Sequence, residues 1–158
     1  MKTGAICQHA VVTIGASDEV VKAARLMREK HVGYLVVVKT DHVLGPTHQV
    51  LGLVRPVGVL SDRDIVVAVV ARGVDPATLR VGDIMSARPI TAREDESVEA
   101  ALGKMRQFGF RRLPVVTDRD ELVGVLATDD VLRALAAETQ DLSTTIHRER
   151  QIEGMRRP

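Results

Sequence analysis

The sequence predicts an α/β protein built from two tandem β-α-β-β-α units, and three observations carry that prediction. The chain repeats itself, each copy shows the same order of extended and helical patterning, and one copy alone is too small to hide its apolar faces. Sliding the sequence by 78 positions lays residues 6–38 on 84–116, with identities at Ile6/Ile84, Thr13/Thr91, Val20/Val98, Ala23/Ala101, Met27/Met105, Arg28/Arg106, Leu35/Leu113, Val37/Val115 and Val38/Val116. Further on the offset falls to 66, and Val57, Gly58, Val59, Leu60, Asp64, Ala68 and Ala71 recur as Val123, Gly124, Val125, Leu126, Asp130, Ala134 and Ala137. The change of offset, 78 − 66 = 12, marks an inserted loop in the first copy at about residues 41–52, DHVLGPTHQVLG.

Each element follows from local pattern. A short extended piece ends at Thr13, or at Thr91 in the copy. An amphipathic helix follows, with Val20, Ala23, Ala24 and Met27 on one stripe and Val98, Ala101, Leu102 and Met105 on its counterpart. Ser17 and Asp95 are the expected N-caps. Two apolar strands come next, 35–38 with 57–60 and 113–116 with 122–126, the second pair joined by the turn TDRDEL. A final helix begins near Ser61 or Thr128 and runs through Ala68 or Ala134. The units are therefore expected at 4–71 and 80–137, with a linker at 72–79 broken by Gly73 and Pro76. A polar tail, 138–158, is expected to be solvated.

Composition excludes several classes. Of 158 residues, 45% are hydrophobic and 27% charged, an ordinary globular balance. Lys and Arg exceed Asp and Glu by 22 − 21 = 1, so no broad field attracts nucleic acid or anionic lipid, and only Tyr34, Phe108 and Phe110 are available for stacking. The longest apolar runs, 33–38 and 65–71, are far shorter than the roughly 20 residues of a membrane span. MKTGAICQHAVV lacks the unbroken apolar stretch of a signal peptide, and a soluble cytoplasmic protein is expected. Cys7 is the single cysteine, and the five histidines show no HxxxH spacing, so no metal site is expected. There is no P-loop, GxGxxG, GxSxG or HExxH, which leaves an enzyme as the weakest reading.

The ordered repeat, with DIM, the Thr91 strand, RRLPVV and GVL falling in sequence in the second copy, resembles a CBS domain, and the whole chain resembles a stand-alone pair of them. That resemblance implies two units packed with pseudo-two-fold symmetry and a regulatory module rather than a catalyst. It also implies an adenosine-bearing ligand (AMP, ADP, ATP, S-adenosylmethionine or NAD(H)) in clefts between the units, with no required cofactor. The family pattern Gly-apolar-apolar-Ser/Thr-x-x-Asp is complete at Gly58-Val59-Leu60-Ser61-Asp62-Arg63-Asp64. An ionised Asp64 suits two ribose hydroxyls, and Ser61 with the helix behind it suits a phosphate. The second copy keeps Asp130 but places Ala127 at the hydroxyl position, with Thr128 one residue late. Two unequal sites are therefore expected, the Ser61/Asp64 cleft being the stronger. The resemblance further implies base contacts from Val12, Thr13 and Ile14, from Ile90, Thr91 and Ala92, from Val32, Gly33 and Tyr34, and from Phe110, Arg111 and Arg112. Arg63, Arg111 and Arg112 are the phosphate candidates. A homodimer is implied too, through the helices ending near Ala71 and Ala137, together with a protein partner that reads the ligand.

Plainer readings stand beside these. Ser61-x-x-Asp64 is also a capping-box variant, Thr13 and Thr91 also suit strands or caps, and Arg111 with Arg112 also suits an exposed strand edge. Tyr34 suits half-buried packing, and Met27 and Met105 belong to the core. Two rival functions remain. One is an interaction scaffold without a nucleotide, favoured by Ala127. The other is a nucleic-acid binder, for which only the arginines of the tail speak.

Overall fold

The computed structural model of the chain describes residues 1–44 and 50–156. Two helices of equal length, 11 residues each, sit at the repeat positions. Helix α2 (Val20–Lys30) buries Val20, Ala23 and Met27, and α5 (Val98–Phe108) buries Val98, Ala101 and Met105, the same apolar stripe in both units. The N-caps differ from those expected. Ser97, not Asp95, caps α5, its Oγ accepting from the Ala100 amide at 3.2 Å, while Glu19, not Ser17, stands at the start of α2 without a side-chain cap. The reason is a turn that precedes each helix. Asp18 Oδ2 accepts the Gly15 amide at 2.9 Å, and Glu96 Oε2 accepts the Arg93 amide at 3.0 Å, so the helices begin two residues later. Both helices end in the left-handed conformation, at His31 (φ 54°) and Gly109 (φ 71°). Glycine takes that conformation without cost, whereas His31 carries a Cβ into it.

In the first unit, β1 (Thr13–Gly15) lies parallel to β2 (Tyr34–Leu44), which pairs antiparallel with β3 (Val50–Ser61). In the second, β5 (Ala92–Arg93) lies parallel to β6 (Arg112–Val116), which pairs antiparallel with β7 (Leu122–Ala127). A bulge falls at Val37/Val38 and again at Val115/Val116, so the repeat extends to the irregularities of the strands. The expected inserted loop is largely strand: the β2–β3 ladder continues through Asp41↔Leu53 to Leu44↔Val50, lengthening one hairpin arm. Residues 45–49 lie outside the described residues.

The units exchange their leading segments. Helix α1 (Thr3–Ile6) docks on the second unit, the Thr3 amide donating to Glu96 O at 2.9 Å and the Gly4 amide to Glu94 O at 2.8 Å. Gln8 and Val125 then exchange backbone hydrogen bonds of 2.9 Å each. Helix α4 (Val81–Ile84) does the same on the first unit, with Val81 N to Asp18 O at 2.9 Å and Gly82 N to Ala16 O at 2.8 Å, and β4 (Ser86–Ala87) joins the edge of β3. Two glycines permit the close approach. A Cβ on Gly58 would lie 2.5 Å from Met85 Sδ, and one on Gly124 would lie 2.5 Å from Cys7 Sγ. Cys7 accordingly belongs to the core of Leu113, Val115 and Leu126, and Val81 to the core of Ile14, Leu35 and Leu60.

The two final helices diverge. In the first unit α3 (Asp62–Ile65) passes into a π-helical turn, Val66–Val70, and the linker holds a 3-10 turn, Pro76–Thr78. In the second, α6 (Thr128–Arg156) runs unbroken for 29 residues, so the tail expected as a solvated segment is helical to Arg156 and exposed from 138 to 153.

Candidate functional site

Two openings lie on the seam between the units. The larger, about 290 Å³, is walled by Gln8, Val11 and Val12 ahead of β1, by His31, Val32, Gly33 and Tyr34 at the turn from α2 to β2, and by Val125, Ala127, Asp129, Asp130 and Arg133 at the β7–α6 corner. Ala10 and Arg112 complete it. The smaller, about 90 Å³, is lined by Val59, Ser86, Ala87, Arg88, Pro89, Ile90, Phe110 and Pro114. Tyr34 and Arg112 face both. These two residues are equivalent positions of the repeat, and the Arg112 guanidinium carbon sits 5.9 Å from the centre of the Tyr34 ring, a cation–π contact at the join of the two openings. Burial pushes the Tyr34 phenol far above its usual range, so it stays a neutral donor.

The two motif aspartates stand in different surroundings. At the start of α3, Asp64 Oδ2 accepts both the Ser61 amide and the Ser61 hydroxyl at 2.7 Å, and Ser61 Oγ accepts the Asp64 amide at 3.2 Å. This is a closed capping box, the plainer of the two readings of that motif. At the start of α6 the hydroxyl is missing. Asp130 Oδ2 holds the Ala127 amide at 2.8 Å, while Oδ1 accepts Gln8 Nε2 at 3.1 Å and the Arg133 guanidinium. Asp130 is only 6% exposed and stands in the wall of the larger cavity. Ala127, the departure from the motif, thus leaves Asp130 only the backbone half of that box, with Oδ1 turned to Gln8 and Arg133.

Among the sequence candidates, the structure brings Val12, Val32, Gly33, Tyr34, Arg112 and Asp130 into the larger opening, and Tyr34, Ile90, Phe110 and Arg112 into the smaller. Thr13, Ile14, Ser61, Arg63, Asp64, Thr91, Arg111 and Thr128 line neither. Ile14 is buried in its unit's core, Arg63 is exposed on α3, and Thr91 gives its carbonyl to Lys104 Nζ at 3.0 Å. The Arg111 carbonyl accepts the Thr128 amide at 3.0 Å, as the Gly33 carbonyl accepts Asp62 at 3.1 Å in the other unit. A Cβ at Gly33 would lie 2.6 Å from Asp62 Oδ2, the end of an exposed side chain that can turn away, and the equivalent position of the second copy is Arg111. Sequence reasoning missed Gln8, His31, Asp129 and Arg133. Arg133 was findable, three residues after Asp130 on one helix face. Gln8 reaches Asp130 across 122 residues, and no local pattern announces that contact.

Among the described residues no group of three or more His, Cys, Asp or Glu is placed to hold a metal, and no helix is long and apolar enough to cross a membrane.

Comparison with known proteins agrees with this architecture. The chain is 32% identical over 133 residues to an uncharacterized protein of Methanopyrus kandleri, covering 84% of this chain and 62% of that protein's length. It is 33% identical over 121 residues to the CBS domain-containing protein YhcV of Bacillus subtilis, covering 77% of this chain and 76% of YhcV. A CBS domain protein of Pyrobaculum aerophilum, solved in complex with AMP, superposes with a TM-score of 0.71 at 29% identity, over 87% of this chain and 97% of that one. The family model of the CBS domain matches residues 4–45 and 81–137, and the chain belongs to that family as a pair of CBS domains.

Proposed function

We propose that the chain is a non-catalytic regulatory module that binds an adenosine-containing metabolite in the larger opening and passes the change to a partner protein. The observation that carries this reading is the buried Asp130 carboxylate in the wall of a cavity that both units build. Its Oδ1 exchanges Gln8 and Arg133 for a pair of ribose hydroxyls, a charge-assisted arrangement. Val12, Val32 and Val125 offer apolar cover for a base, while Arg112, Arg133 and His31 offer cationic or donor groups to a phosphate. The AMP bound to the Pyrobaculum relative supports the ligand class. Because the walls come from both units, a ligand that touches both biases their relative position, and α6 begins at the site.

The test is a thermal-shift panel with AMP, ADP, ATP, S-adenosylmethionine and NADH, with GTP as control, on wild type, Asp130→Ala and Asp64→Ala. A ligand at 100 times its Kd stabilises the fold by about 2.7 kcal/mol. An adenosine-selective shift lost in Asp130→Ala and kept in Asp64→Ala supports the reading. Loss in Asp64→Ala alone moves the site to the first unit's motif. No shift with any nucleotide at millimolar concentration overturns it and leaves an interaction scaffold.

A further inference from the structure

The wall of the larger opening differs from its repeat partner in charge as well as in shape. At the two offsets of the repeat, Ala10, Gly33 and Asp129 stand where the other copy has Arg88, Arg111 and Arg63. With Arg112, those positions of the other copy set four guanidiniums against Asp64 alone. The larger opening instead sets Asp129 and Asp130 against Arg112 and Arg133. Both of its guanidiniums are engaged, Arg133 on the Asp130 carboxylate and Arg112 over the Tyr34 ring. Asp129, in the first turn of α6, is exposed, and among the described residues no cation pairs with it.

A rounded space of about 290 Å³ spans about 8 Å, the distance over which physiological salt screens a charge. A phosphate seated there therefore feels Asp129 whatever the orientation of the ligand. The binding mode proposed above gives Asp130 to the ribose and releases Arg133, which supplies one guanidinium to one phosphate. Any further phosphate meets the Asp129 carboxylate with nothing to neutralise it, and an unpaired like charge is how a site turns a competitor away. We propose that Asp129 sets the charge the larger opening accepts, admitting an adenosine ligand with at most one phosphate and holding off ADP and ATP. This inference rests on the nucleotide reading of that opening and narrows it.

Adenosine, AMP and ATP share base and ribose and differ only at the 5′ end. Calorimetric titrations of the full chain with each, without Mg²⁺, compare their Kd values. AMP is expected to bind wild type roughly tenfold tighter than ATP at about 50 mM salt. The ratio is expected to fall toward one at about 0.5 M salt, because salt relieves repulsion, whereas a merely steric exclusion of ATP would not respond. Asp129→Asn is expected to narrow the ratio several-fold, and Asp129→Arg to abolish or reverse it. Asp118→Arg makes the same change of net charge at the far end of the β6–β7 hairpin, in neither opening, and is expected to leave the ratio alone. Since the ratio compares two ligands on one variant, general weakening does not disturb it, and the near-isosteric Asp129→Asn decides if Asp129→Arg fails to fold. ATP binding wild type as tightly as AMP overturns the proposal, as does a ratio that salt leaves fixed or that survives both Asp129 substitutions; adenosine and AMP then still bind, and the nucleotide reading stands. Failure of that reading looks different: none of the three ligands binds wild type, and both proposals fall together.

Discussion

Asp64 and Asp130 occupy the same place in the repeat, and one hydroxyl separates their behaviour. Ser61→Ala removes a cap whose loss costs about 1 kcal/mol and is expected to lower the urea midpoint accordingly. Ala127→Ser is the converse test. It rebuilds the box of the first unit in the second, with an expected gain of about 0.5–1 kcal/mol from the added cap, and it draws Asp130 back toward its own helix start. Under the proposed function the more stable variant binds the nucleotide less tightly, which paired urea melts and ligand titrations would show; unchanged affinity counts against Asp130 as the ribose acceptor. Cys7 gives a residue-scale effect of pH. Burial pushes its thiol above its ordinary value of 9.0, so the unfolded chain ionises first. The stabilisation is complete below pH 9 and is lost as the pH climbs through the raised folded value. Melts between pH 7.5 and 10.5 are expected to show wild type losing ground to Cys7→Ala, and parallel curves would refute it.

At the scale of the element, the exchanged leading segments make the strongest prediction. Deleting residues 1–8 strips the hydrogen bonds of Thr3, Gly4 and Gln8 and uncovers the Leu113–Leu126 core beside Cys7. Hydrogen exchange is expected to accelerate at the Val125 amide, which donates to Gln8 O at 2.9 Å, and more weakly or not at all at Gly82, whose acceptor Ala16 is untouched. Equal acceleration at both amides would mean the two units open as one. This element also marks the boundary of what the sequence discloses. The stripes of α2 and α5, the paired strands and the helix starts at Ser61 and Thr128 are local periodicities, and local periodicity survives folding. The swap of α1 and α4 is a long-range choice, settled by the fit of Cys7 on Gly124 and Met85 on Gly58. The cap positions slipped by two residues because Asp18 and Glu96 close turns that compete with Ser17 and Asp95. At the site, the motif located both aspartates, but whether each faces its own helix or a cavity depends on Gln8 and Arg133, which the motif does not contain.

Across the whole molecule the two halves are related by repeat yet unequal in every functional respect. One has the long hairpin arm and a short, π-distorted last helix; the other has the open aspartate and the 29-residue helix. The exchanged segments have a further consequence, in time rather than in space. Gln8 leaves the ribosome early, but its partner Asp130 follows 122 residues later, roughly 6–24 s at bacterial-like synthesis rates of 5–20 residues per second. Through that interval the first residues have no seat and the cavity has only part of its wall. Under the proposed function, a nascent chain that has not reached Asp130 is blind to the metabolite, and recognition waits for the first turn of the last helix.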